Sequence, residues 1–448
     1  MIVALLGALG LTSPTFAQPE QVVRVISEVE PDTAKSFVEK LASFGTRHSL
    51  STTESDTRGV GAARRWILSE FQEFARDSNG RMQVQFERFD QPAMRRVPEP
   101  VEMANVVAIL PGTMPEASSR YYYVIGHYDS RNGSGMDSEG DAPGANDDAS
   151  GTSVVMECAR ILADEELDAT VIFMATQGEE QGLLGARYHA ARAASLGIDV
   201  RAVLSNDIVG DPTGPAKEDG TPRMARDVIR VLSEGIPRNA SAQELAMIRA
   251  LSAESDSKSR QLARYMLEVA ELHDLGVKPM LVFRPDRFLR GGDHTPFNEN
   301  GFAAVRLSEV YENYTRQHQN IREVDGRPYG DTAEFVDAGY LGDVARLNAA
   351  TIVHLANAPS EPGNARVITA ELTNSTTIRW DASPEPDVAG YEIVWRRTTE
   401  PTWTESLDVG DVTEATVELS KDNWFFGVRA YDSDGYKSQV VFPAAARR

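Results

Sequence analysis

The chain of 448 residues contains one cysteine, Cys158. A lone cysteine excludes an intramolecular disulfide and any zinc site built from cysteines. It falls in the helix-like run Thr152 to Leu162, where a small thiol is expected to pack as a core residue. Positive charge is sparse. Lysine and arginine total 45 against 67 aspartates and glutamates, a net charge of -22. That balance argues against nucleic acid and against an anionic membrane surface as partners. After the amino-terminal segment no run is long and apolar enough to cross a bilayer. Repeats and low-complexity tracts are lacking too.

What is present is ordinary for a soluble globular protein: 41% hydrophobic and 25% charged residues, in a length that suits two or three domains. Met1 to Leu11 is apolar, and Thr15 and Ala17 are small. This pattern reads as a signal peptide over residues 1–17, cleaved before Gln18, and implies export to a periplasmic or extracellular space. The basic residue usual near the start is missing, which leaves open a start upstream of Met1 or an ordinary buried segment. Gln18, not a cysteine, stands directly after the cleavage point, so a lipid anchor is not expected.

Periodicity then places the elements. Gln21 to Phe44 and Gly59 to Phe74 read as helices, and Val84 to Phe89 and Asn105 to Leu110 as strands. Tyr121 to Gly126, Ala169 to Ala175 and Val200 to Asp207 are buried strands, separated by helices over Val154 to Leu162 and Gly185 to Leu196. Pro212 to Lys258 reads as an irregular, charged, partly helical insertion. A helix from Ser259, strands at Lys278 to Phe283 and Phe302 to Leu307, and a helix over Leu341 to Leu355 follow. Strands alternating with helices predict an α/β fold with a mostly parallel central sheet flanked by helices, spanning residues 18–358. Beyond the linker Pro359 to Gly363, short strands between turns predict a β-sandwich over residues 359–448.

Three motifs carry chemistry. Gly126-His127-Tyr128-Asp129, Asn146-Asp147-Asp148 and Gly178-Glu179-Glu180 occur in that order, the first and the last each closing an apolar run. Asp207 closes a further strand. Ligands of an open α/β sheet bind outside the carboxyl ends of its strands, where His127, Glu179, Glu180 and Asp207 fall. Two close zinc ions need a bridging carboxylate, a His and a carboxylate for each ion, and a base beside the water. Asp147 suits the bridge, in a glycine-flanked turn that opens a helix. Asp129 can take the other imidazole N–H of His127 and fix its tautomer. Glu179 and Glu180 are adjacent, so one can ligate while the other acts as base. Singly, such acidic pairs are helix caps or solvated loops; that bland reading fails for the ordered set.

These residues resemble the co-catalytic zinc aminopeptidases of metallopeptidase family M28, clan MH, over roughly residues 31–355. The resemblance implies two zinc ions and peptide substrates. It implies His127 as a ligand with Asp129 as its orienter, Asp147 as the bridge, and a cis peptide between Asp147 and Asp148. It implies Glu179 as base, Glu180 as ligand, and Asp207 completing the shell of the ion held by His127. A distal His joins Glu180. The family's Tyr-His-Thr is absent here, and His318, in Arg316-Gln317-His318-Gln319, is the choice, with His294 as the alternative. Asp293-His294-Thr295-Pro296-Phe297 also resembles a family motif beside the substrate pocket, so His294 is expected to line the site. His48, His189, His273 and His354 are expected to be structural or at the surface.

The reading is an exported zinc exopeptidase that removes amino-terminal residues. Its alternatives are a carboxypeptidase or a glutaminyl cyclase of the same fold, or a non-catalytic binding protein. No arginine cluster stands among the motifs to clamp a terminal carboxylate; the acidic loop Asp137 to Asp141 reads first as a solvated loop and otherwise suits an ammonium group. Trp380, Tyr391, Trp395 and the alternation Trp424, Phe426, Val428 resemble a fibronectin type III domain. That module is expected to fold alone, to be dispensable for chemistry, and to bind protein or surface partners.

Overall fold

Pro31 divides the first helical region. Proline lacks an N–H and disfavours helical geometry in the residue before it, so Glu30 is extended (φ -105, ψ 103). Two helices, α1 (Glu20–Ser27) and α2 (Pro31–Ala42), therefore replace the single helix expected over Gln21 to Phe44. The computed structural model describes residues 18–370 and 372–446. The expected signal peptide lies outside the described residues.

Helix α3 (Gly59–Asp77) leads into the antiparallel pair β1 (Gln83–Gln91) and β2 (Val101–Leu110). Then come β3 (Arg120–His127), α4 (Ser150–Leu162), β4 (Thr170–Thr176), the single turn α5 (Glu179–Gly182), α6 (Leu184–Ser195) and β5 (Asp199–Asn206). A short ribbon, β6 (Thr213–Gly214) with β7 (Arg223–Met224), precedes β8 (Val228–Ser233), α7 (Ala242–Leu251), α8 (Lys258–Leu272) and β9 (Lys278–Val282). Helix α9 (His294–Glu299) and β10 (Ala304–Ser308) follow. A hairpin, β11 (Arg322–Val324) with β12 (Arg327–Tyr329), then leads to α10 (Ala338–Asn357).

The sheet has eight strands in the order β1-β2-β4-β3-β5-β10-β8-β9. Its centre, β4-β3-β5-β10, is parallel, while β1, β2 and the β8–β10 pairing are antiparallel. The parallel centre reads as continuous apolar runs because helices cover both faces. Strand β8 lies inside the segment expected to be an irregular insertion. Its run Val228 to Ser233 alternates half-exposed with buried residues, which is too short a pattern to separate from loop.

The four parallel strands determine where the chemistry sits. Their carboxyl ends lie along one edge and deliver His127, the Glu179–Glu180 turn, Asp207 and the segment running from Glu309 to His318. Gly126 and Gly151 let β3 and the start of α4 touch. A Cβ on Gly126 would lie 2.6 Å from the Gly151 carbonyl carbon. That approach seats the Asp147–Asp148 turn against the end of β3.

The carboxyl-terminal strands form a sandwich of two sheets, four strands against three. Trp380, Tyr391, Ile393, Trp395, Phe426 and Val428 fill it. The sandwich is not a loose appendage, as the linker had implied. Arg396 grips Asp256 through one nitrogen at 2.8 and 2.9 Å, Tyr265 donates to the Lys437 carbonyl at 2.7 Å, and Arg429 pairs with Glu268 at 2.8 Å. Tyr436 joins the main hydrophobic core and meets His354 edge-on, 5.5 Å between ring centres. Cys158 is buried in that same core. Among the described residues no helix is long and apolar enough to cross a membrane.

Candidate active site

Two clusters of ligand-type atoms meet at Asp147. His127, Asp147 and Asp207 form one, and Asp147, Glu180 and His318 the other, with the ligand atoms of each within 4.8 Å of one another. His127 Nε2 is 3.2 Å from Asp147 Oδ1 and 3.9 Å from Asp207 Oδ2. His318 Nε2 is 2.9 Å from Asp147 Oδ2 and 2.7 Å from Glu180 Oε1. Asp147 thus presents one carboxylate oxygen to each cluster. The structure brings His318 here, and His294 to neither cluster.

The turn holding Asp147 is clamped from several sides. The Asp147–Asp148 peptide is cis. The Asp148 carboxylate accepts backbone N–H bonds from His127 (3.0 Å), Gly151 (2.9 Å) and Ile208 (3.2 Å), tying the ends of β3 and β5 to α4. The Asp331 carboxylate accepts from the backbone N–H of Asn146 (2.9 Å) and Asp147 (2.8 Å). Gln317 donates to Asp147 Oδ2 at 2.9 Å. Asp331 gave no signal in the sequence, because the β11–β12 hairpin separates it from His318.

Asp129 works differently from the expectation. Its carboxylate stands 3.6 Å from His127 Nδ1, while its backbone carbonyl, at 3.1 Å, is the acceptor that orients the ring. The carboxylate instead accepts from Ser49 Oγ (2.8 Å) and from the backbone N–H of Gly178 (3.0 Å), Glu179 (3.2 Å) and Glu180 (3.3 Å). The step from β3 leaves the carboxylate just beyond hydrogen-bond distance of its own histidine and within reach of the neighbouring loop after β4. Burial opposes the charge on Asp129, and these bonds together with His127 outweigh it and lower its pKa.

Glu179 and Glu180 diverge on their turn. Glu180 belongs to the second cluster, and Arg131 Nε donates to its other oxygen at 2.8 Å. Arg131 Nη2 also lies 2.6 Å from His318 Nδ1. Glu179 belongs to neither cluster. Burial pushes its carboxyl well above the ordinary range, against the pull of His127, and Asp207, Glu180 and Asp293 push it further.

His294 does not line the site. It is 1% exposed, donates to the Pro285 carbonyl at 2.6 Å, and is kept neutral by burial, which lowers its pKa to about 4. It stands behind Asp286, which faces Arg306; Arg306 in turn holds Asp207 Oδ1 at 2.8 Å. Its neighbour Asp293 is the residue that turns inward. One Asp293 oxygen accepts from Thr176 Oγ1, the other has no partner among the described residues, and burial raises its pKa to about 6.

Two further expectations change. Arginines do gather beside the site: Arg230, Arg287 and Arg290 all pair with Glu312. Arg287 and Arg290 share one loop and Arg230 comes from β8, so no single motif displayed the cluster. The acidic loop is engaged with its own surroundings, for Asp137 accepts from Asn132 (2.8 Å) and Gly140 (2.8 Å), and Asp141 pairs with Arg58 at 2.8 Å. Of the other histidines, His48 meets Gln181 at 3.0 Å, His189 pairs with Glu87 at 2.8 Å, and His273 meets His354 at 2.8 Å.

Comparison with known proteins agrees with this geometry. The model of the peptidase family M28 matches residues 105–338. A probable zinc metalloprotease of Leptosphaeria maculans is 44% identical over 437 residues, covering 97% of this chain and 99% of that protein. Another, of Pyrenophora tritici-repentis, is 43% identical and covers 95% of this chain and 87% of its own. Among solved structures the Legionella pneumophila LapA aminopeptidase superposes with a TM-score of 0.53 at 18% identity, over 79% of this chain and 78% of its own, a likeness of fold. With a family model spanning the ligand-bearing strands and near-full-length relatives above 40% identity, the chain belongs to peptidase family M28.

Proposed function

We propose that the protein is an exported aminopeptidase that works with two zinc ions. The observation that carries this reading is the pair of ligand clusters sharing Asp147. The donor set suits zinc: imidazole nitrogens and carboxylate oxygens, with His127 Nε2 buried and without a hydrogen-bond partner among the described residues. His127, Asp147 and Asp207 would hold one ion, and Asp147, Glu180 and His318 the other. Ions held there supply a Lewis acid for the scissile carbonyl and lower the pKa of water.

The chain's own residues do the rest. Glu179, outside both clusters, takes a proton from the attacking water and returns it to the leaving amine nitrogen. Burial raises its affinity for a proton, the direction that proton abstraction asks for. Asp129 holds the backbone of the Glu179–Glu180 turn, so both carboxylates keep their direction. Arg306 holds one oxygen of Asp207 and leaves the other facing His127. The buried carboxylates of Asp147, Glu180, Asp207 and Asp293, with the half-buried Glu179, favour a substrate ammonium group. The nearby arginines are each paired with carboxylates of this chain, which weakens the carboxypeptidase alternative. The likeness of the sandwich to fibronectin type III fits a module of an exported protein.

A blocked-substrate panel tests the reading. Acetylating the amino terminus of a peptide abolishes turnover, amidating its carboxyl terminus does not, and chelation removes activity that zinc restores. The opposite blocking pattern would assign a carboxypeptidase.

A further inference from the structure

Phe288 and Leu289 are 75% and 93% exposed. Leu289 also has a left-handed backbone, φ 58. A residue with a Cβ avoids that region, and glycine or asparagine usually fills it. Neither burial nor backbone preference therefore accounts for leucine at this tip, and strained residues of this kind cluster at ligand contacts.

The base of the same loop is firmly held. Arg287 and Arg290 donate to Glu312 Oε2 at 2.9 and 3.0 Å, and Arg287 Nε lies 3.1 Å from Asp286. Arg306, which holds Asp207, donates to the Gly291 carbonyl at 3.0 Å. A Cβ on Gly291 would lie 4.0 Å from Leu183, at the end of the Glu179–Glu180 turn. The loop is thus wedged between that turn and the segment running from Glu312 to His318, with its apolar tip exposed and the Arg284 guanidinium 5.4 Å from the Phe288 ring.

We propose that Phe288 and Leu289 form a contact site for an apolar side chain of the peptide on the leaving side of the scissile bond. This rests on the aminopeptidase reading. In that reading the amino-terminal residue stays among the buried carboxylates, and only the leaving side emerges from the site. An exposed tip anchored to the ligand-bearing segments meets the emerging chain.

The test is the double variant Phe288→Ser, Leu289→Ser; both side chains are exposed, so the fold is not at stake. With Leu-Phe-Leu amide as substrate, kcat/KM falls about ten-fold through KM, the order expected when apolar side chains stop being buried. Leucine p-nitroanilide and Leu-Gly-Gly amide change less than about two-fold, within the range of an exposed substitution. Equal losses on all three substrates, or no loss on any, would overturn the proposal. If wild-type protein cleaves none of them, the aminopeptidase reading has failed, and the contact is decided by binding. Leu-Phe-Leu amide then binds the Glu179→Gln protein about ten-fold more tightly than the triple variant, and equal affinities overturn the contact. Sedimentation with vesicles of phosphatidylcholine and phosphatidylserine guards against a lipid role. Binding by wild type that the double variant loses would reassign the tip to a membrane surface.

Discussion

Replacing Glu179 by glutamine should separate base chemistry from metal binding. The carboxylate lies in neither ligand cluster. No hydrogen bond among the described residues ends on it; Glu179 is engaged through its backbone, its N–H donating to Asp129 and its carbonyl accepting from Leu183. Glutamine has the same shape, so nothing structural is lost except the ability to take a proton. General-base contributions of roughly 10²–10⁴-fold then set the expected fall in kcat. At about 1.36 kcal/mol per decade this raises the barrier by about 3–5 kcal/mol. Zinc content stays at the wild-type value. Glu180→Gln should behave oppositely. It weakens a contact at 2.7 Å to His318 and leaves Arg131 without its carboxylate, so metal is lost along with activity. Steady-state kinetics on leucine p-nitroanilide, with elemental analysis of the same samples, reads both quantities. Loss of zinc from Glu179→Gln would exchange the roles of the two glutamates. Retention of more than about a tenth of kcat would remove Glu179 from proton transfer, since the expected loss is at least about a hundred-fold.

Asp331→Ala should strand the buried N–H of Asp147, at about 1–3 kcal/mol, and the part-buried N–H of Asn146 at less. A lower urea midpoint and weaker zinc retention against a chelator are expected, while a wild-type midpoint would show that the clamp is not needed. A chain ending at Ala358 should be unstable, because it bares Tyr265, Arg264 and the core around His354 that Tyr436 covers. An unchanged Tm and full activity for that chain would restore the view of a dispensable module. Burial raises the Asp432 carboxyl from 3.8 to about 7, so its proton is held in the folded state and released on unfolding. Stability from this group is present at low pH and lost as pH rises through about 7. Asp432→Asn keeps Oδ1 as the acceptor for Asp434 and Tyr436, so it should raise Tm at pH 8.5 by an amount that shrinks toward pH 4. A gain that does not depend on pH would refute the titration.

The legible part of the site lies where chemistry and chain order coincide. His127, the Asp147 turn, the Glu179–Glu180 pair and Asp207 each follow a strand or open a helix, and adjacent parallel strands bring their ends together. His318 was harder, because it sits on a segment without regular structure and its flanking residues depart from the family pattern. The split of the first helix at Pro31 was available from proline's missing N–H and was outweighed by apolar periodicity. Strand β8 was hidden by its short, half-exposed pattern.

By itself the sequence determined the α/β class, the order of most elements and the motifs that carry His127, Asp147, Glu180 and Asp207. These follow from local periodicity and from motifs short enough to be read along the chain. Only the tertiary structure decided which acceptor orients His127, that His294 is closed off while Asp293 faces inward, and that Arg306 and Asp331 hold the ligands from behind. It also decided that the sandwich is bound to the peptidase domain by Asp256, Tyr265 and Glu268. Those outcomes depend on residues far apart in the chain competing for the same buried donors and acceptors, and a linear pattern carries no record of which partner wins.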